Sequence, residues 1–163
     1  MNNTISELFK SITHGVYVIG VRNGQETNAF TAAWVMQASF DPPLLVFSIN
    51  PKHYSYQLLK ASGVCAISVL GHEQISLAER FGGSHTSDKM SDTLFLEGET
   101  LAPIVANSLA YFDCKVNHYS NAGDHKLVVC RVIDSALLNT GKPLLYSETG
   151  TMDNSESFFK NSY

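Results

Sequence analysis

The chain has 163 residues, 44% of them hydrophobic and 16% charged, which is enough apolar material for a single folded domain over 1–163 and too much for a disordered chain. Eleven basic against fifteen acidic side chains give a net charge of -4, excluding an overall basic field for nucleic acid or an acidic membrane. Apolar stretches fall well short of the roughly 20 residues a spanning helix needs, and residues 1–10 lack a basic start followed by an apolar core, so a soluble, cytoplasmic protein is expected.

Thr4-Ile5-Ser6-Glu7 reads as a capping box, and Ile5, Leu8, Phe9 and Ile12 fall at helical spacing, so a short amphipathic helix opens the chain and Gly15 ends it. Residues 16–22 (VYVIGVR) are strand-like, Asn23-Gly24 is a two-residue hairpin signal, and 26–34 carries the return. The strand resumes over 35–40, Asp41-Pro42-Pro43 turns the chain, and 44–49 (LLVFSI) is apolar on both faces, as a buried strand would be. Ser55 can cap a short helix through Ala61 that Gly63 stops, followed by a strand over 64–70. Residues 73–81 look helical and end at Gly82-Gly83, and the polar, irregular stretch 84–98 has the length of a lid or ligand loop.

From Ala110 the alternation is strict: Ala110, Phe112, Cys114 and Val116 toward a core, Tyr111, Asp113, Lys115 and Asn117 toward water. Gly123-Asp124 makes a turn, 127–138 is the next strand, and 144–146 a last short one. Many strands with only short helices and no βαβ alternation predict a mainly β fold, an antiparallel β-barrel with peripheral helices. Cys65, Cys114 and Cys130 form no CxxC pair and read as reduced core residues. The six histidines include no HExxH pair, so no structural metal is expected.

The segment TNAFTAAWVMQASFDPPLLVFSINP (27–51) resembles the signature of the flavin reductase-like family, whose fold is the FMN-binding split barrel. Three further pieces follow in the family's order: a polar loop and helix at 52–59, Phe-Gly and then Lys at 81–89, and GDHKLVVCRV at 123–132. The match spans 9–148, and it extends to the flavin reductase-like module of cyanobacterial flavodiiron (diflavin) proteins, leaving open a free-standing protein or a module of a longer chain.

The resemblance implies FMN, with FAD less expected, NAD(P)H as electron donor, and a homodimer; Phe158, Phe159 and Tyr163, apolar in an otherwise polar tail, are compatible with docking on a second subunit. A flavin ring is a flat slab with polar edges and needs close backbone approach. The resemblance assigns that role to Thr31, Ala32 and Ala33, with Ser39 and Ser48 nearby and Trp34 either against the ring or filling the core.

For the phosphate it implies Asn50, Lys52, His53 and Ser55 at the start of a helix whose first amides are unsatisfied, although Tyr56 stands where the family commonly has Thr. Phe81, Gly82 and Lys89 complete the implied set; Lys89 is a phosphate partner or a solvated loop lysine. His125 orients or polarises the reactants, or is a hydrogen-bonded turn residue. Hydride transfer demands proximity rather than a general base, which accounts for a signature without a catalytic acid. The implied activity is NAD(P)H-dependent flavin reduction with electrons passed to free flavin, a partner protein or oxygen. The alternative is a flavin-carrying electron-transfer protein without NAD(P)H activity.

Overall fold

The computed structural model describes residues 4–83, 88–150, 152 and 154–159. Helix α1 (Ile5–Phe9) starts as its capping box requires, with Glu7 N–H donating to Thr4 Oγ1 and Thr4 N–H to the Glu7 carboxylate. It is a turn shorter than its apolar spacing suggests. Ile5, Leu8 and Ile12 stay half exposed, and Phe9 stacks on Phe159 at 5.6 Å. Tyr163 lies outside the described residues.

Strands β1 (Tyr17–Asn23) and β2 (Glu26–Ala32) pair from Tyr17↔Ala32 to Asn23↔Glu26, so the turn is Gly24-Gln25, one residue later than the Asn-Gly pair suggests. The left-handed φ of 62° falls on Gly24 at the first loop position, where a hairpin of this length accepts glycine. Strand β3 (Val35–Ser39) and β4 (Leu44–Ile49) flank the Asp41-Pro42-Pro43 turn, whose first peptide bond is cis. Further on come α2 (Tyr54–Ser62), β5 (Val64–Val69), α3 (Ile75–Gly82), α4 (Asp88–Ser91), β6 (Phe95–Glu97), β7 (Pro103–Val105), β8 (Ala110–Ala122) and β9 (His125–Leu137). No helix among the described residues is long and apolar enough to cross a membrane.

Seven strands form one antiparallel sheet in the order β2-β1-β5-β8-β9-β4-β3, with β6 and β7 as a separate pair. β2 and β3 are therefore the two edges, yet only Ala33 and Trp34 separate them in the chain. A flat sheet of this order would hold its edges roughly 29 Å apart, whereas two linking residues reach at most about 11 Å. The sheet must curl until its edges approach, and the rings of Phe30 on β2 and Phe47 on β4 come to 6.4 Å across the interior. This is a split barrel, closed by packing where the ladder stops. Ile19, Ile67, Val128 and the α2 side chains Leu58 and Leu59 fill it, while Ala29, Ala78, Phe81 and Val105 form a second cluster under α3.

Cys65 and Cys114 stand opposite each other across β5 and β8 and meet Cys130 in the interior; all three are free and buried. Contact with Cys114 and Cys130 together with burial pushes the Cys65 thiol up, and contact with Cys130 together with burial pushes the Cys114 thiol up.

Four local readings are corrected. Asp113 keeps the alternation, pairing with Ala66 on the Tyr111 face, but that face is not open to water: the segment 98–104 covers it, Asp113 is fully buried, and Thr100 N–H and Oγ1–H satisfy its carboxylate. Strand β4 is buried on one face only, with Phe47 and Ile49 inward and Leu44, Val46 and Ser48 partly exposed. The stretch 84–98 holds α4 and β6, residues 84–87 lying outside the described set. Residues 144–146 make one isolated bridge, Gly15↔Leu145, before a single 3-10 turn, Tyr146–Glu148.

Gly20 on β1 is where β7 crosses closest. A Cβ there would lie 2.0 Å from the Pro103 carbonyl oxygen, and backbone cannot rotate away as a side chain does. Gly20→Ala is expected to cost about 2 kcal/mol, roughly 4–8 °C in Tm by thermal unfolding.

Candidate functional site

The link that closes the barrel also carries the signature residues. Thr31 is committed to structure: its Oγ1–H donates to the Ala78 carbonyl at 2.6 Å, bracing β2 against α3. Ala32 is buried and Ala33 part-exposed, and Gly82 packs beside Thr31, where a Cβ would sit 3.9 Å from the Thr31 Cβ. Trp34 is 48% exposed, which removes it from the core. Its carbonyl accepts from Ser48 N–H at 3.1 Å, and its ring lies 5.2 Å from that of His125, tilted by 54°.

His125 reaches this position because Gly123, with φ 59°, and Asp124 turn β8 into β9 with Ala122↔His125 as the closing pair. Asp124 Oδ1 stands 2.8 Å from His125 Nδ1. Trp34, Ser48 and His125 thus converge from three strand ends. Ser39 does not join them; it sits at the far end of β3, roughly 17 Å of strand away, beside a bulge.

A second group lies on the α3 side of β2. Phe81 is buried edge-to-face against Phe95, and Lys89 Nζ lies 6.0 Å over the Phe81 ring. Lys89 is only 5% exposed, and its ammonium has no hydrogen-bond partner among the described residues. Burial pushes its pKa below the usual 10.5. It is not a solvated loop lysine.

The loop before α2 forms a third group. Asn50 Oδ1 accepts from Lys52 N–H at 3.0 Å and its carbonyl from His53 N–H at 2.9 Å. Lys52 is exposed, and the His53 ring packs on Phe30 at 5.2 Å. The cap reading of Ser55 is corrected: His53 occupies the N-cap and makes no side-chain capping bond. Ser55, in the first turn, is fully buried and accepts from Asn28 Nδ2 at 2.9 Å, which withdraws its hydroxyl from the surface.

Asn28 is the polar residue that sequence reasoning missed. Asn28, Ala29 and Phe30 are all buried, so β2 is covered on both faces and shows no alternation to read. Asn28 and Phe30 face α2 and the barrel, while Ala29 and Thr31 face α3. The loop group and the Lys89 group therefore stand on opposite faces of β2, and only a ligand lying along that sheet edge could touch both.

The family model described as "Flavin reductase like domain" matches residues 9–155. The chain belongs to this family. It is 31% identical over 141 residues to a high molecular weight rubredoxin of Moorella thermoacetica, covering 84% of this chain and 62% of that protein. It is 30% identical over 122 residues to the FMN reductase (NADH) RutF of Agrobacterium fabrum, covering 72% of this chain and 68% of that one. Among solved structures it matches the NADH:FAD oxidoreductase SgcE6 of Streptomyces globisporus with a TM-score of 0.82 and 26% identity, over 89% and 88% of the two chains. In this flavin reductase-like domain the signature segment is thus the hinge between the two sheet edges. Of its two linking residues Ala33 is small and Trp34 carries its ring outward beside His125.

Proposed function

We propose that this flavin reductase-like domain binds FMN along the β2 edge and the Trp34–His125 corner, oxidises NADH or NADPH, and passes the electrons to free flavin, a partner protein or oxygen. The observation that carries this reading is Lys89. A desolvated ammonium without a partner among the described residues is costly, and a phosphate monoester is the anion that would offset the cost. Membership of the family and similarity to an NADH-using FMN reductase support the same reading.

Bound flavin would supply the hydride acceptor, N5 of its ring. The chain's residues bind and orient. Ala32 and Ala33 permit close backbone approach, Trp34 presents an exposed aromatic face, and Lys89 neutralises phosphate charge. His125, held by Asp124, is placed to orient an amide edge rather than to abstract a proton. Buried, reduced thiols suit a cytoplasmic location, and the half-exposed apolar side chains of α1 together with Phe158 support a homodimer.

The similarity to a rubredoxin-named protein favours a second reading, a flavin-carrying electron-transfer protein without NAD(P)H activity. Anaerobic mixing of the FMN-loaded protein with NADH and with NADPH separates the two. The first reading expects bleaching of the flavin absorbance much faster than for FMN in buffer, with one nucleotide preferred. A rate no faster than in buffer leaves the carrier, and a chain that takes up no FMN on titration sinks both.

A further inference from the structure

We propose that Asp124 is a positioning residue that fixes the tautomer of His125, so that Nε2 is presented as a hydrogen-bond acceptor to an amide-type N–H of the bound nucleotide. The identity of that nucleotide rests on the flavin reductase reading; the tautomer is a property of the chain alone.

The Gly123-Asp124 turn and its closing pair Ala122↔His125 leave the Asp124 carboxylate beside the ring, 2.8 Å from Nδ1. An ionised carboxylate only accepts, so Nδ1 carries the proton and the neutral ring keeps its lone pair on Nε2. Trp34 lies 5.2 Å away at a 54° tilt and limits rotation of the ring from its face. His125 is thus held at one edge by a carboxylate and on one face by an indole, and Nε2 has no hydrogen-bond partner among the described residues. Two N–H donors of the proposed ligands suit such an acceptor, the nicotinamide carboxamide and the flavin imide. A ring protonated at Nε2 would set donor against donor. The Asp124 side chain is 88% exposed, so its bond to His125 contributes little to folding and can be removed without unfolding the protein.

Nitrogen NMR of histidine-labelled protein, at a pH above the imidazole range and without ligand, reads the tautomer directly. His125 should be Nδ1–H in the wild type and in Asp124→Asn, whose amide oxygen still accepts, and Nε2–H in Asp124→Ala. Emission of Trp34, the single tryptophan, should shift in Asp124→Ala and return toward wild type in Asp124→Asn. Asp124→Ala should raise KM for NADH about five- to tenfold with FMN affinity unchanged if the carboxamide is the donor. If the imide is the donor, FMN affinity weakens by that factor instead. An Nδ1–H ring in Asp124→Ala, an Nε2–H ring in the wild type, or unchanged KM and FMN affinity in Asp124→Ala overturns the proposal. The expected tautomer switch in a chain that neither binds FMN nor oxidises NADH would support the assignment of Asp124 and count against the flavin reductase reading instead.

Discussion

Replacing Lys89 by Met is expected to weaken FMN binding by about 2–3 kcal/mol, roughly 30- to 150-fold, while leaving the unliganded protein at least as stable as the wild type. Both halves follow from one fact, the burial of an ammonium at 5% exposure with no hydrogen-bond partner among the described residues. An unpaired charge taken out of water costs several kcal/mol, and the cost is recovered only when an anion arrives. Met has nearly the length of the lysine stem and fills the same space against Phe81, so it removes the charge without opening a cavity. FMN titration and thermal unfolding of the same variant measure the two effects. Undiminished FMN affinity in Lys89→Met would take the phosphate away from this lysine.

The same burial sets the sign of a pH dependence. Because the folded pKa of Lys89 lies below 10.5, the folded chain holds fewer protons than the unfolded chain between that lowered value and 10.5. Stability of the unliganded protein should therefore rise with pH across this window, whereas below it the cost of the charged side chain is present in full. Lys89→Met should flatten that rise in chemical denaturation at a series of pH values. Bound FMN should flatten it too, since a phosphate beside the ammonium restores its affinity for the proton.

Features whose chemistry is local could be read directly from the chain. Gly24 and Gly123 supply the left-handed turns, Thr4 and Glu7 supply a reciprocal cap, and Asp41-Pro42-Pro43 separates two strands, each within a few residues. What depends on register or on a second layer was hidden. Asp113 has the alternation of a solvent-facing residue and keeps it; what buries it is the segment 98–104 lying over that face, where Thr100 meets the carboxylate. Ser55 has the composition of a cap, but Asn28 draws it into the interior and His53 takes the cap position. The candidate site shows the same division. Trp34, His125 and Lys89 are each conspicuous in their motifs, yet nothing local says that the first two touch or that the third is buried. Nor does the sequence reveal that β2 stands between Lys89 and the Asn50–His53 loop, because a strand covered on both faces gives no period to follow.

Trp34→Leu is expected to lower FMN affinity about 5- to 30-fold and to change folding stability by less than about 0.5 kcal/mol, a combination that separates the two roles its sequence position allowed. A tryptophan filling the core would cost about 3–5 kcal/mol on truncation whatever happened to the ligand. One that is 48% exposed, anchored through its backbone to Ser48 and set against His125, has little packing to lose and an aromatic face to offer. Loss of a stacking platform removes about 1–2 kcal/mol from binding of a flat heterocycle and nothing from the fold. Because the chain has one tryptophan, the wild type reports on the same question without substitution: FMN should quench its emission saturably, with the midpoint matching the binding constant found from flavin absorbance. Emission indifferent to FMN, in a protein that binds FMN by absorbance, would move the flavin away from the Trp34–His125 corner and leave Lys89 as the contact that places it.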